Sequence, residues 1–365
     1  MLLTRRHPLH GIRLALVLTT ACCVVGCGTL GPASVQRDRT EYGDVLASTW
    51  KEQTLLNIVK LRYGDAPVYL EVSSVISSTA LESQVSIGSS WFSGFPSDGD
   101  SQTVLATGRY TDRPTISYTP LSGERFSRYL LRPLSPGAVF SLIQAGYPVD
   151  RVLQLTTRAI NGVYNRSTSP TRIRAADPRF YQLLDTLRRI PRSEALGMRI
   201  SPRGDDDNSL LIISRGVPES VARDSHAVRD ILQLNPEASE LTLTFGMVPR
   251  SDTEVAVLTR SMSEIFAEIA ATIEAPPEHV AQGRANPTPA LPEATSPWDQ
   301  PLVRIQSSVE RPTDAYAAIR YRDHWFWIDD RDLRSKSEFL FILVLFSLAE
   351  TGVAPQAPVI TVPAN

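Results

Sequence analysis

All three cysteines of this 365-residue chain, Cys22, Cys23 and Cys27, fall within its first 27 positions. Everything that follows must therefore fold without a disulfide, a thiolate zinc site or a cysteine nucleophile. Only a hydrophobic core is left to hold it. With 42% hydrophobic residues the chain has enough apolar material for one large domain or two ordinary ones. The cysteines also sit in a recognisable setting. Arg5, Arg6 and Arg13 flank a short apolar run that begins at Leu14 and ends in small residues, the layout of a secretory signal. A transmembrane helix needs about 20 apolar residues to cross a core of about 30 Å, and this run is shorter.

Val24-Val25-Gly26-Cys27 closes that run and resembles the lipobox of bacterial lipoprotein precursors. The resemblance implies cleavage before Cys27, which would become the first residue and carry a thioether-linked diacylglycerol and an acylated amino group. Several acyl chains on one residue give stable anchoring, which one chain does not. Gly28 follows, where an Asp would favour retention at the inner membrane, so the expected address is the outer membrane, facing the periplasm. Residues 1–26 are then a signal peptide and residues 27–37 a lipidated tether, small and without a period.

The formal net charge is −2, and removing a leader with three arginines and no acid makes the remainder more negative. That balance argues against a nucleic-acid surface. The expected partners are the membrane, through the lipid on Cys27, and envelope proteins.

An α+β body is expected over residues 38–275. A helix fits residues 42–63, stopped by Gly64-Asp65-Ala66-Pro67. A meander of antiparallel strands with a long loop fits residues 68–118. Helices fit 123–131, 136–145, 148–164 and 177–190, and a hairpin turns at Asp205-Asp206-Asp207-Asn208. Then come a helix at 218–234, a strand at 241–245 and a long helix at 255–275. Seven prolines between residues 276 and 301 suggest an exposed linker or disordered insertion. Residues 302–365 read as a C-terminal hairpin, helix and strand packed on the body. Strand groups mixed with helix groups, without sustained alternation, favour α+β over a doubly wound fold.

No motif forces a reaction, and no cofactor or metal site is expected. The acidic turn lacks the spacing of a calcium loop. His324 with Asp329, Asp330 and Asp332 offers metal-hydrolase residue types, but a strand should hold the histidine away from the acids. No nucleophile elbow surrounds a serine, His279 borders the linker, and His226 reads as an exposed helical residue. Trp325-Phe326-Trp327 puts two tryptophans on one face of a strand, for core packing or a binding surface. The segment from Phe339 through Leu348 is apolar on every side but too short to span a bilayer.

These residues point first to a lipid-anchored structural or interaction module. The alternatives are an envelope hydrolase using Asp329 and Asp330, or a small-molecule or glycan-binding lipoprotein using Trp325 and Trp327.

Several stretches, among them Trp50-Lys51-Glu52-Gln53-Thr54-Leu55-Leu56-Asn57-Ile58-Val59-Lys60-Leu61-Arg62-Tyr63, Pro67 to Val75, Arg113 to Gly123, Ile160-Asn161-Gly162 and Ile319 to Lys336, together resemble an uncharacterised family of proteobacterial lipoproteins. The resemblance spans most of the chain beyond the leader. It implies no activity, and only the lipidated Cys27 carries over.

Overall fold

A 31-residue helix, α1 (Pro32–Arg62), opens the computed structural model, which describes residues 32–76, 79–90, 101–112, 115–168, 173–190, 196–200, 209–213, 219–289 and 297–349. The signal peptide, Cys27, the acidic turn and the strand expected near Val359 lie outside these residues. The helix starts ten residues before its expected beginning, inside the segment read as tether. Proline is tolerated in the first turn of a helix, and Ala33, Gln36, Arg37 and Arg39 favour helix. Its second half enters the core, where Leu55, Ile58 and Val59 are fully buried. After the turn at Gly64, whose φ of 73° suits glycine, Asn57 fixes the outgoing chain. Its amide donates to the Val68 carbonyl at 2.8 Å, and its oxygen accepts from the Val68 N–H at 2.9 Å.

The next four strands nest instead of forming a meander. β1 (Leu70–Ile76) pairs with β4 (Thr115–Pro120), and β2 (Thr79–Ser90) pairs with β3 (Ser101–Asp112), all antiparallel. After a short helix α2 (Gly123–Phe126) and a π-helical turn (Ser127–Leu131) come α3 (Pro136–Gln144) and α4 (Val149–Thr156). The helix expected over 148–164 therefore ends early. β5 (Thr157–Ile160) and β6 (Val163–Tyr164) form a hairpin instead, turned by Asn161 and Gly162 at φ 45° and 77°. Asn-Gly is the strongest short hairpin signal, and here it overrides the helical stripe.

β7 (Ser167–Thr168), β8 (Ile173–Arg174), α5 (Pro178–Arg189), β9 (Leu196–Ile200), β10 (Ser209–Ile213), α6 (Glu219–Leu232) and β11 (Glu240–Phe245) follow. The long helix expected over 255–275 is a strand and a shorter helix, β12 (Glu254–Thr259) and α7 (Met262–Ala271). A capping box marks the break. Ser261 Oγ accepts from the Glu264 N–H at 3.2 Å, and the Ser261 N–H donates to Glu264 Oε2 at 3.0 Å. The strands assemble in the order β6-β5-β12-β11-β10-β9, with β11 and β12 parallel and the other pairs antiparallel.

Behind this sheet lies a buried ionic cluster. Glu268 on α7 faces Arg166 at 3.6 Å and Arg260 at 3.8 Å, and accepts from the Thr168 N–H and Oγ1, each at 2.7 Å. Arg260 also donates to the Gln154 and Leu155 carbonyls, and Arg166 to that of Asp299.

The proline-rich stretch is docked at both of its described ends, contrary to the linker reading. α8 (Pro277–Ala281) buries His279, and Arg62 donates to the Asn286 carbonyl at 2.7 Å. A 3₁₀ turn (Pro297–Asp299) buries Trp298, whose indole donates to Asp185 at 3.2 Å. Prolines need no ladder partner, so packing and outside donors can hold such a segment without regular pairing.

β13 (Gln306–Ser308), β14 (Ala315–Tyr321) and β15 (His324–Asp329) form a second sheet in the order β13-β15-β14, and α9 (Leu333–Ala349) covers it. Phe326 packs edge-on against Tyr63 at 6.0 Å, fastening this unit to the end of α1. Phe339, Ile342, Leu345 and Phe346 sink α9 into the common core. The fold is α+β.

Candidate functional site

Around the π-helical turn the surface opens into a groove of about 1110 Å³. The Arg132 N–H donates to the Ser127 carbonyl five residues back, at 3.2 Å, which widens the last turn. That widening aims Leu131 outward, and Leu131 (53% exposed), Phe245 at the end of β11 (52%) and Leu348 near the end of α9 (45%) all line the groove. Arg128 and Arg132 stand beside them, with Glu124 paired to Arg128 at 2.5 Å. Three large apolar side chains from three distant segments thus share one concave, cationic-rimmed surface. Clustered exposed apolar side chains flanked by arginines are the composition found at protein–protein contacts. A second cavity, lined by Phe140, Leu153, Leu183, Val228, Leu232 and Leu241 among others, is apolar and only about 60 Å³. It is a packing void, far below the roughly 300 Å³ at which ligand pockets begin.

A histidine pair lies at the junction of α1, α8 and the β14–β15 hairpin. The His279 and His324 rings meet edge-on at 4.7 Å, and both are buried. Arg322 and Asp323, at φ 48° and 67°, turn the hairpin tightly enough to bring His324 inward. Burial pushes the Tyr63 hydroxyl up to about 12, so it stays protonated, and Tyr63 Oη and His279 Nδ1 share a hydrogen bond at 2.7 Å. His324 Nε2 meets Glu278 Oε1 at 2.8 Å. On the outer side Asp65 receives Tyr321 Oη and, at 2.8 Å, Arg322. The linker-border histidine is therefore an interior group, brought there by α8.

Burial, and then the charge of His324, hold the His279 pKa below its ordinary 6.5. As pH falls below 6.5 the unfolded chain takes up a proton before the folded one does. Stability owed to a neutral His279 is complete above that value and is lost as pH descends to the folded-state pKa. Urea midpoints should thus fall as pH drops below 6.5, and His279→Gln should flatten that decline. Asp65, held low chiefly by the Tyr321 hydrogen bond, and Glu278, held low chiefly by a backbone hydrogen bond, act in a separate, more acidic window. An unaltered slope in His279→Gln would assign the decline to other groups.

The acids considered beside His324 do not join it. Asp329 accepts from the Arg331 N–H, Asp330 pairs with Lys336 at 2.6 Å, and Asp332 caps α9 through Ser335. Among the described residues no group of three or more His, Asp or Glu side chains converges as a metal site. His226 is exposed on α6, as its sequence suggests. Trp325 and Trp327 are neither core nor fully open. Both are half-buried on one face of β15 while His324, Phe326 and Ile328 are buried on the other, and Arg311 sits 5.2 Å over Trp325.

No protein-family model, curated protein or solved structure matches this chain. Sequence reasoning reached the tryptophan face but set His279 aside at the linker border and missed both the histidine pair and the groove. Its lining comes from segments more than a hundred residues apart, and a π-turn carries no composition signal. The one local hint is Phe245-Gly246-Met247-Val248, apolar side chains running on past the end of a strand.

Proposed function

We propose that this chain is a lipid-anchored cell-envelope lipoprotein, carried on Cys27 at the outer membrane and facing the periplasm, which acts as an interaction module through the groove at the π-helical turn. The observation that supports this reading most is the convergence of exposed Leu131, Phe245 and Leu348 on one concave surface. An anchored protein meets its partners at a fixed height above the membrane, so a shallow, pre-formed groove suffices for recognition.

Two measurements test the reading. Metabolic fatty-acid labelling should mark the wild type and not Cys27→Ser; a labelled mutant would move the lipid elsewhere. A photo-crosslinking phenylalanine analogue in place of Phe245 should give a discrete protein adduct in intact cells. The same analogue at exposed Asp252 should not. Equal adducts at both positions, or none, would remove the groove from the proposal.

A further inference from the structure

At the base of the nested ribbon lie three more exposed apolar residues, Leu70 (39%), Val72 (40%) and Tyr118 (49%). Val72 pairs with Tyr118. Strict alternation would send Val75 to the opposite face, three residues on. The register shift between Val72 and Ser74 corrects this. One extra residue, a β-bulge, returns Val75 and its partner Ile116 to the face of Val72 and Tyr118.

Beyond Val75 the pairing offset is the same in β1–β4 and β2–β3, as Ile76↔Thr115 and Thr79↔Asp112 show. Within the β2–β3 ribbon Leu81, Val85 and Ile87, paired with Tyr110, Ala106 and Val104, share one face with the pair Ser83 and Gly108. Glu82, Gln84 and Ser86, paired with Arg109, Thr107 and Leu105, occupy the other, polar but for Leu105. Ser86 and Thr107 on that second face are solvent-exposed. Thr79↔Asp112 and Ser89↔Gln102 bracket the apolar band with polar pairs at both ends.

Each of β2 and β3 has 12 residues, and among the described residues each pairs only with the other. A two-stranded ribbon is marginal in water, and two open edges invite further pairing. A strand crossing a bilayer needs about 9–11 residues at a tilt of about 45°. It also alternates apolar with polar positions, as these strands do. In hydrocarbon no backbone group can stay unpaired, so one ribbon cannot cross alone. Identical ribbons satisfy each other's edges and can close by rotation.

We infer that several copies of this chain join their β2–β3 ribbons edge to edge into a closed β-barrel, with the Leu81–Val85–Ile87 face against bilayer hydrocarbon and the Glu82–Gln84–Ser86 face lining a water-filled lumen. The inference rests on the envelope reading above for its access to a membrane. Glu82 opposite Arg109 places complementary charge on the watered side.

The test uses the full-length processed protein in phosphatidylethanolamine–phosphatidylglycerol vesicles. Val85→Cys, Ile87→Cys, Gln84→Cys and Ser86→Cys are each labelled with a polarity-sensitive fluorophore. The first two should shift to the blue and be quenched by a lipid-borne nitroxide; the other two should be quenched by iodide. Equal water access at all four overturns the inference, as does shielding of Val85→Cys and Ile87→Cys without nitroxide quenching, which would mean a protein cover. Val85→Arg should lower the cross-linkable oligomer in the vesicles about thirtyfold, and Ser86→Arg should leave it unchanged. An unaffected oligomer in Val85→Arg also overturns it. Fatty-acid labelling of the same preparations separates the two readings. A labelled protein without alternation loses the barrel and keeps the anchor, and an unlabelled one with alternation does the reverse.

Discussion

Glu268→Ala is expected to lower the unfolding free energy by about 3–5 kcal/mol, because it leaves two buried guanidinium groups facing each other without their shared carboxylate. Arg166, Arg260 and Glu268 are each almost wholly withdrawn from solvent. Thr168 would lose the acceptor of both its N–H and its hydroxyl. The carbonyls of Gln154, Leu155 and Asp299 would still hold the arginines in place, so the charges could not swing out to water. Urea unfolding with unchanged slope and a lowered midpoint would read the loss directly. A change below about 1 kcal/mol, the scale of an exposed ion pair, would mean that water reaches the cluster.

Phe326→Ala should cost about 3–5 kcal/mol as well, by a different route. Its ring is fully buried in the core that α1 shares with the C-terminal sheet, edge-on to Tyr63. Neighbouring Tyr321 is tied to Asp65, so the hairpin cannot simply collapse onto the void. The mutant should unfold in one transition with the rest of the body. A second, earlier transition confined to residues 302–349, seen as protease sensitivity at mild urea, would show instead that the C-terminal sheet is a separate cooperative unit.

Much of this architecture could be read from residue order alone where the period was long and unbroken. Residues 42–62 of α1 and α6 stand where their stripes place them, and the C-terminal hairpin and helix expected after residue 302 appear as β14, β15 and α9. The two helix readings that failed, over 148–164 and 255–275, share a cause. In each, β-branched residues adjoin a true helix and continue its three–four spacing by chance. The deciding signals were short, Asn161-Gly162 in one and Ser261 with Glu264 in the other. The docking of the proline-rich stretch was hidden for another reason. It depends on Arg62, which gives no sign in sequence that it will reach the Asn286 carbonyl. Among functional candidates, the tryptophan face and the separation of His324 from the acids were legible because a strand has period two. The groove and the histidine pair were not, since both are made by elements meeting across the fold.

The order of the six-stranded sheet also bears on how the protein is made. β12 lies between β5 and β11 and is the last of the six strands to be synthesised. Until residue 259 has emerged, β5 with β6 on one side and β11 with β10 and β9 on the other are two half-sheets with facing open edges. A chain cut short before Glu254 cannot join them, and open edges of this kind aggregate or are held by chaperones. Sheet closure therefore waits until the chain through residue 259, more than two thirds of its 365 residues, is free to fold together.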